Sequence, residues 1–157
     1  MTKLIRIIAC LTLLLWGFPL AVNASDTTCD LLTIEATANA QGIDPALSDW
    51  ASIFRAAPFS QFDTFRLVEQ RQYALALGAP TALVLPQGIR GTLEFQGMRA
   101  GQLNIALVLQ RDERMPVILA GRATPGVPFM AGGLKSEQGR WVFVVLCRRT
   151  AMPVHHP

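Results

Sequence analysis

The sequence predicts a mainly β (α+β) fold: an antiparallel sandwich, or a curled sheet, with one helix near the N-terminus. Three observations carry this. Beyond residue 59, turn-forming Gly and Pro residues punctuate the chain about every 8–12 positions, the spacing of short strands joined by tight connections. Residues 141–147 form an unbroken apolar run, far too short to span a bilayer and therefore a strand covered on both faces, expected at the centre of its sheet. Only the stretch opening at Asp44 spaces its apolar residues as a helix does.

Taken in order, residues 1–24 read as a removable export signal. Lys3 and Arg6 supply the positive start, residues 7–16 an apolar core interrupted only by Thr12, and Val22-Asn23-Ala24 the small residues of a cleavage site. Cleavage is expected between Ala24 and Ser25. Gly17 and Pro19 break the segment before it could act as a membrane anchor, so no stable membrane span is expected after cleavage. Cys10 lies inside the apolar core, too early for a lipidation signal. Residues 25–150 then form a single β-rich domain, and residues 151–157, with Pro153 and Pro157, a flexible tail.

In residues 32–39, Leu32, Ile34, Ala36 and Ala38 alternate with Thr33, Glu35, Thr37 and Asn39, which predicts a half-buried strand with its polar residues outward. Asp44-Pro45 offers a helix N-cap followed by a proline at the first helical position. Leu47, Trp50, Ile53 and Phe54 follow on one face, predicting about three helical turns that close at Ala57-Pro58. Trp50 is in register with that face and reads as core. Strands are expected at 64–69, 72–77 and 81–85, with a turn at Pro86-Gln87-Gly88. Runs at 92–95 and 103–109 flank a Gly97-to-Gly101 loop and predict a hairpin. Residues 111–114 read as a charged, solvated turn, 117–120 as a further strand, and Gly132-Gly133 as a turn between strands.

Cys29 and Cys147 remain after processing, 118 positions apart. An even pair in an oxidising compartment predicts one disulfide. It would tie the first strand to the last and remove on the order of 4–5 kcal/mol of loop entropy from the unfolded chain. Lacking C-x-x-C spacing, the pair does not read as redox-active.

Charge excludes one class of partner. The whole chain carries a formal +3, but Lys3 and Arg6 leave with the signal. The remaining bases are scattered, with only Arg148-Arg149 adjacent, so no basic stripe for nucleic acid is present.

Catalytic and cofactor motifs are sparse. The two histidines, His155 and His156, stand in the tail, where no packed shell could orient them towards Ser60, Ser136 or a cysteine, and two adjacent imidazoles make no metal site. Neither a metal nor another cofactor is expected. Gly132-Gly133 lacks the spacing of a phosphate loop. Asp44, Asp49, Asp63, Glu69 and Glu94 are the candidates for a carboxylate pair, yet each reads as cap, surface, turn or outward strand residue. No catalytic residue is assigned, and the chain is not expected to be an enzyme.

The succession Ile34-Glu35-Ala36, Gly42-Ile43-Asp44-Pro45-Ala46-Leu47, Pro58-Phe59, Phe65-Arg66-Leu67-Val68, Leu85-Pro86-Gln87-Gly88 and Pro128-Phe129-Met130-Ala131-Gly132-Gly133, closed by an apolar strand, resembles small exported proteins of unassigned function in Gram-negative bacteria. The resemblance covers about residues 32–147. Its motifs are packing and turn residues, so it implies a shared fold and no activity. A local likeness of residues 129–146 to the β-rich gate domain of secretins carries no residue roles.

The functional expectation is a non-catalytic periplasmic or secreted interaction module, an accessory or assembly factor of an envelope machine whose sheet edges pair with an envelope protein. The sequence specifies no oligomeric state. The alternative is a small-ligand or inhibitor-type binding protein with Tyr73, Phe129, Met130 or Trp141 lining its pocket. A third reading is a carboxylate-based hydrolase.

Overall fold

The computed structural model describes residues 27–112 and 115–149. The export signal with its Ala24–Ser25 junction, and the tail with both histidines, lie outside the described residues. The strands are β1 (Thr27–Thr37), β2 (Gly42–Ile43), β3 (Thr64–Leu75), β4 (Thr81–Val84), β5 (Ile89–Arg99), β6 (Gln102–Arg111), β7 (Val117–Ala123), β8 (Phe129–Lys135) and β9 (Arg140–Arg149). They form a five-stranded sheet, β2-β3-β1-β9-β8, and a four-stranded sheet, β4-β5-β6-β7. Only the two-residue β2 pairs in parallel with its neighbour in these sheets.

The core between the sheets is built by alternation. Cys29 and Leu31 of β1, and Trp141, Phe143, Val145 and Cys147 of β9, meet Leu93 and Phe95 of β5 and the four leucine and isoleucine side chains that β6 turns inward. On the outer face of the five-stranded sheet a second cluster gathers Leu32, Ile34, Ala36, Val142 and Val144 beneath Leu47, Phe54 and Phe65. β1 and β9 are thus apolar in both phases, the expected reading for residues 141–147. The middle of the sheet, however, is β1, with β9 beside it. The half-buried reading of the first strand fails for the same reason: Thr33, Glu35 and Thr37 face inward and are buried.

Four other expectations are corrected. The expected three-turn helix is a 3₁₀ segment, Pro45–Trp50, followed by a single α-turn, α1 (Ala51–Phe54). The triplet spacing of Leu47, Trp50 and Ile53 matches three residues per turn as well as 3.6. Ile53 consequently points to solvent while Leu47 and Phe54 are buried. The runs 64–69 and 72–77 are one strand, whose register slips between its pairing with Thr33 and with Ile34 so that Val68 is the unpaired extra residue. That bulge reverses the phase: Phe65 and Leu67 pack under the helical segment, whereas Tyr73 and Leu75 pack between the sheets.

The hairpin expected around 97–101 is present but tighter. β5 and β6 extend until Arg99 pairs with Gln102, leaving Ala100 and Gly101 as the two-residue turn, with φ of 51° and 77°. Positive φ at both positions is the signature of a type I′ hairpin. Gly97 lies inside β5, paired with Asn104 beside a bulge whose unpaired extra residue is Gln96, rather than in a loop. Gly132 and Gly133 likewise lie inside β8, at a register shift before Lys135, with Gly133 at φ 148°. A non-hydrogen-bonding irregularity of this kind in an edge strand looks, in sequence, like a turn.

Cys29 and Cys147 stand directly opposite each other in the β1–β9 ladder, with Cα atoms 4.0 Å apart, and form the disulfide. Both are fully buried. Replacing both by Ala is expected to lower the unfolding free energy by about 2–5 kcal/mol, read from urea titrations of the oxidised protein and the variant. Ala100→Asn should act in the opposite direction by about 0.5–1 kcal/mol, because asparagine tolerates the left-handed conformation that alanine pays strain to adopt; an unchanged or lowered midpoint would contradict the turn assignment.

Candidate functional site

The helical excursion, residues 44–62, is fastened to the five-stranded sheet at both ends. Asp44 accepts from the Ala46 amide at 2.9 Å and from the Leu67 amide at 3.3 Å, while its own amide donates to the Phe65 carbonyl at 2.8 Å. At the exit, the Asp63 amide donates to the Thr37 carbonyl at 3.0 Å. Between these ties, Phe54 stacks on Phe65 with centroids 4.4 Å apart and meets Phe59 edge-on at 6.3 Å. The aromatic ladder carries Phe59 across the sheet to β8, where its ring overlies Gly132. A Cβ on Gly132 would sit 3.3 Å from that ring.

Between the excursion and the sheet, a cleft of about 300 Å³ remains. Phe59 and Phe62 wall it, Met130, Gly132 and Val142 floor it, and Arg140 is its only charged lining residue. The Arg140 guanidinium donates to the Gly133 carbonyl at 3.2 Å. The cleft opens beside β8, which ends the five-stranded sheet and, among the described residues, has a hydrogen-bonded strand neighbour on one side only.

On the opposite, inward face of the same sheet lies a buried carboxylate that alternation alone assigned to solvent. Glu35, its side chain 5% exposed, takes a 2.7 Å hydrogen bond from Arg66, itself 64% exposed. Strand register makes this pair inevitable, since Arg66 is the β3 partner of Glu35 and Trp141 its β9 partner. Burial pushes the carboxyl pKa up, but the Arg66 and Ser136 hydrogen bonds and the Arg66 charge outweigh it and hold the pKa below the ordinary glutamate value. Ser136 is positioned for this by the β8–β9 turn, where its Oγ accepts from the Gly139 amide at 2.8 Å.

The acids singled out in the sequence are dispersed. Asp44 is a cap, Asp49 and Asp63 are exposed, and Glu94 lies on the outer face of the four-stranded sheet opposite Ala106. Glu69 is inward, opposite Thr33, but its Oε1 is held by Arg71 through the guanidinium Nε at 2.8 Å, and that contact raises the Arg71 pKa. Of the four side chains expected to line a pocket, Met130 borders the cleft, whereas Phe129, Tyr73 and Trp141 pack in or against the core between the sheets. Ser60 is exposed on the excursion. Among the described residues no group of three or more His, Cys, Asp or Glu side chains could hold a metal ion.

Sequence reasoning missed Glu35, Arg66, Phe59, Gly132 and Arg140. For Glu35 a cue existed: Cys29 and Leu31 are apolar in the phase opposite to Leu32 and Ile34, which marks a strand buried on both sides. Nothing local announces the other four: Arg66 reaches Glu35 across 31 positions, Phe59 meets Gly132 across 73, and Arg140 joins Phe59 only at the cleft.

Because the Glu35 pKa is lowered on folding, its contribution is present above the ordinary carboxyl range and is lost as pH falls through the lowered value. Glu35→Gln is therefore expected to destabilise the protein by about 1–3 kcal/mol at pH 7. The gap to the parent should begin to narrow below about pH 4.5, where the unfolded chain takes up the proton, and close as pH falls through the lowered value of the folded carboxyl. Urea midpoints from pH 3 to 7 test this; a gap independent of pH would refute the ionised pairing.

Compared with family models, curated proteins and solved structures, the chain matches none.

Proposed function

We propose that this chain is an exported, non-catalytic interaction module, periplasmic or secreted, that serves an envelope machine as an accessory or assembly factor and receives an extended segment of a protein partner along β8. The observation that carries the reading is the adjacency of an open strand edge and a cleft of side-chain size. A strand added to β8 gains main-chain hydrogen bonds, and alternate side chains of that strand project over Met130 and Gly132 towards the cleft. Backbone pairing supplies affinity for any extended segment; the Phe59–Phe62 wall selects an apolar side chain. The buried cystine suits an oxidising compartment. Among the described residues no helix is long and apolar enough to cross a membrane.

A second reading rests on the same cleft: a small apolar ligand carrying an anionic group would fit between Phe62 and Met130 with its charge at Arg140. The two readings differ in what the cleft captures, a chain or a molecule.

Photo-crosslinking residues placed at Gln61, on the cleft rim, and at Val84, on the edge strand of the other sheet, separate them. In the envelope of the source cell, Gln61 is expected to give a discrete protein adduct and Val84 none. Gly132→Val, which thrusts a side chain at Phe59, should reduce the adduct at least tenfold while circular dichroism shows the fold retained. Equal adducts at both positions, no adduct at Gln61, or indifference to Gly132→Val would overturn docking on β8.

A further inference from the structure

The two outer faces of the sandwich differ. The excursion covers that of the five-stranded sheet, whereas no described element covers that of the four-stranded sheet, where Val84 and Ile118 stand 66% and 65% exposed. Alternation fixes what points there. Leu93 and Phe95 of β5, and Leu103 and Ile105 of β6, face the core, so Gln96 and Asn104 face out. Asn104 pairs with Arg122 on one side and with Gly97, next to the unpaired bulge residue Gln96, on the other. Arg99 pairs with Gln102, two positions from Asn104 and on the same face.

Gln96, Arg99, Asn104 and Arg122 line one open basin, with Ala120 contributing only a methyl group to its floor. Its charges are both positive, and its two amides add N–H donors. Arg66, Arg71 and Arg148 each face a carboxylate; Arg99 and Arg122 have no such neighbour among the described residues. Glu94, the nearest acid along the strand, is in the next row, opposite Ala106, and does not line the basin.

We propose that this basin binds a multiply charged phosphate group. Arg99 and Arg122 rise from strands two places apart and are staggered by two residues along them, about 12 Å at the backbone, a gap that two guanidinium arms close over one phosphate or bridge over two. The planar forks of arginine pair with oxyanions in bidentate fashion, and the carboxamides of Gln96 and Asn104 donate to the oxygens between them. A lone carboxylate would satisfy one arginine and leave the other idle. The site is independent of the cleft beside β8, since it lies on the other sheet and uses none of the same residues.

Inorganic pyrophosphate, titrated into the protein and followed by the side-chain amide resonances of Gln96 and Asn104, is expected to give saturable shifts. The double variant Arg99→Ala/Arg122→Ala should weaken binding at least tenfold, and Arg90→Ala, on the same face but outside the basin, should leave it unchanged. Absence of saturable shifts, identical affinity in the double variant, or an equal response to sodium chloride at matched ionic strength would overturn the site. Vesicles of phosphatidic acid, whose phosphomonoester carries more than one charge, and of phosphatidylcholine identify the source. Cosedimentation with the first alone, lost in the double variant, supports a lipid phosphate; pyrophosphate binding without cosedimentation supports a soluble one.

Discussion

The antiparallel pairing of β1 with β9 joins the first and last described strands through ten opposed residue pairs, and a buried cystine locks it at Cys29 and Cys147. Both apolar clusters are built on this ribbon, one on each face. The four-stranded sheet closes over the inner face and the helical excursion over the outer. A chain whose central ladder joins its two ends cannot form that ladder from local contacts, so the entropy of closing a loop of nearly the whole domain must be met before the core rewards it. The crosslink removes part of that loss from the unfolded chain, which is the physical reason for placing it here and not in a hairpin whose ends are already close.

Double-sided burial also explains which parts of the fold were legible in sequence. Residues 141–147 announced themselves because every position is apolar, and the cystine because only two cysteines lie beyond the segment that reads as an export signal. The hairpin at 100–101 was legible as a hairpin, while its turn was misplaced: Gly97 and Gly101 look alike in sequence, yet one flanks a bulge and the other supplies a positive-φ turn position. Gly132-Gly133 failed for the same reason. A glycine states that unusual backbone geometry is needed and does not say whether the chain reverses there or continues. The bulge at Val68 was invisible because no residue type marks it; only the phase change between Leu67 and Tyr73 records it.

The candidate cleft was hidden for a different reason. Of its apolar residues, Met130 was expected to line a pocket and Val142 to belong to the buried last strand, without any partner being assigned to either. What makes the cleft is the meeting of Phe59 with Gly132, 73 positions apart, and that meeting depends on the stacking of Phe54 on Phe65 and on the Asp44 ties to β3. Glu35 is a parallel case. Its polarity suggested solvent, but Arg66 reaches it from the neighbouring strand, and a carboxylate compensated in this way can occupy a position that composition alone would deny it.

The same physics separates chemistry that holds the fold from chemistry left free to act. On the five-stranded sheet Arg66 and Arg71 pair with glutamates, Arg148 with Asp30 at 3.8 Å, and Arg140 donates to a carbonyl; on the four-stranded sheet Arg111 donates to the Lys135 carbonyl. On the four-stranded sheet Arg99 and Arg122 share a face with one another and with amides, and among the described residues no carboxylate pairs with them. Placing two like charges on one uncovered face costs little in water, where each is screened beyond about 8–10 Å, and contributes nothing to folding. Arg66 can be accounted for by the carboxylate it compensates, whereas Arg99 and Arg122 have no such structural debt. Their placement makes physical sense as a surface waiting for opposite charge, and it puts that surface on the side of the sandwich farthest from the excursion that shapes the cleft.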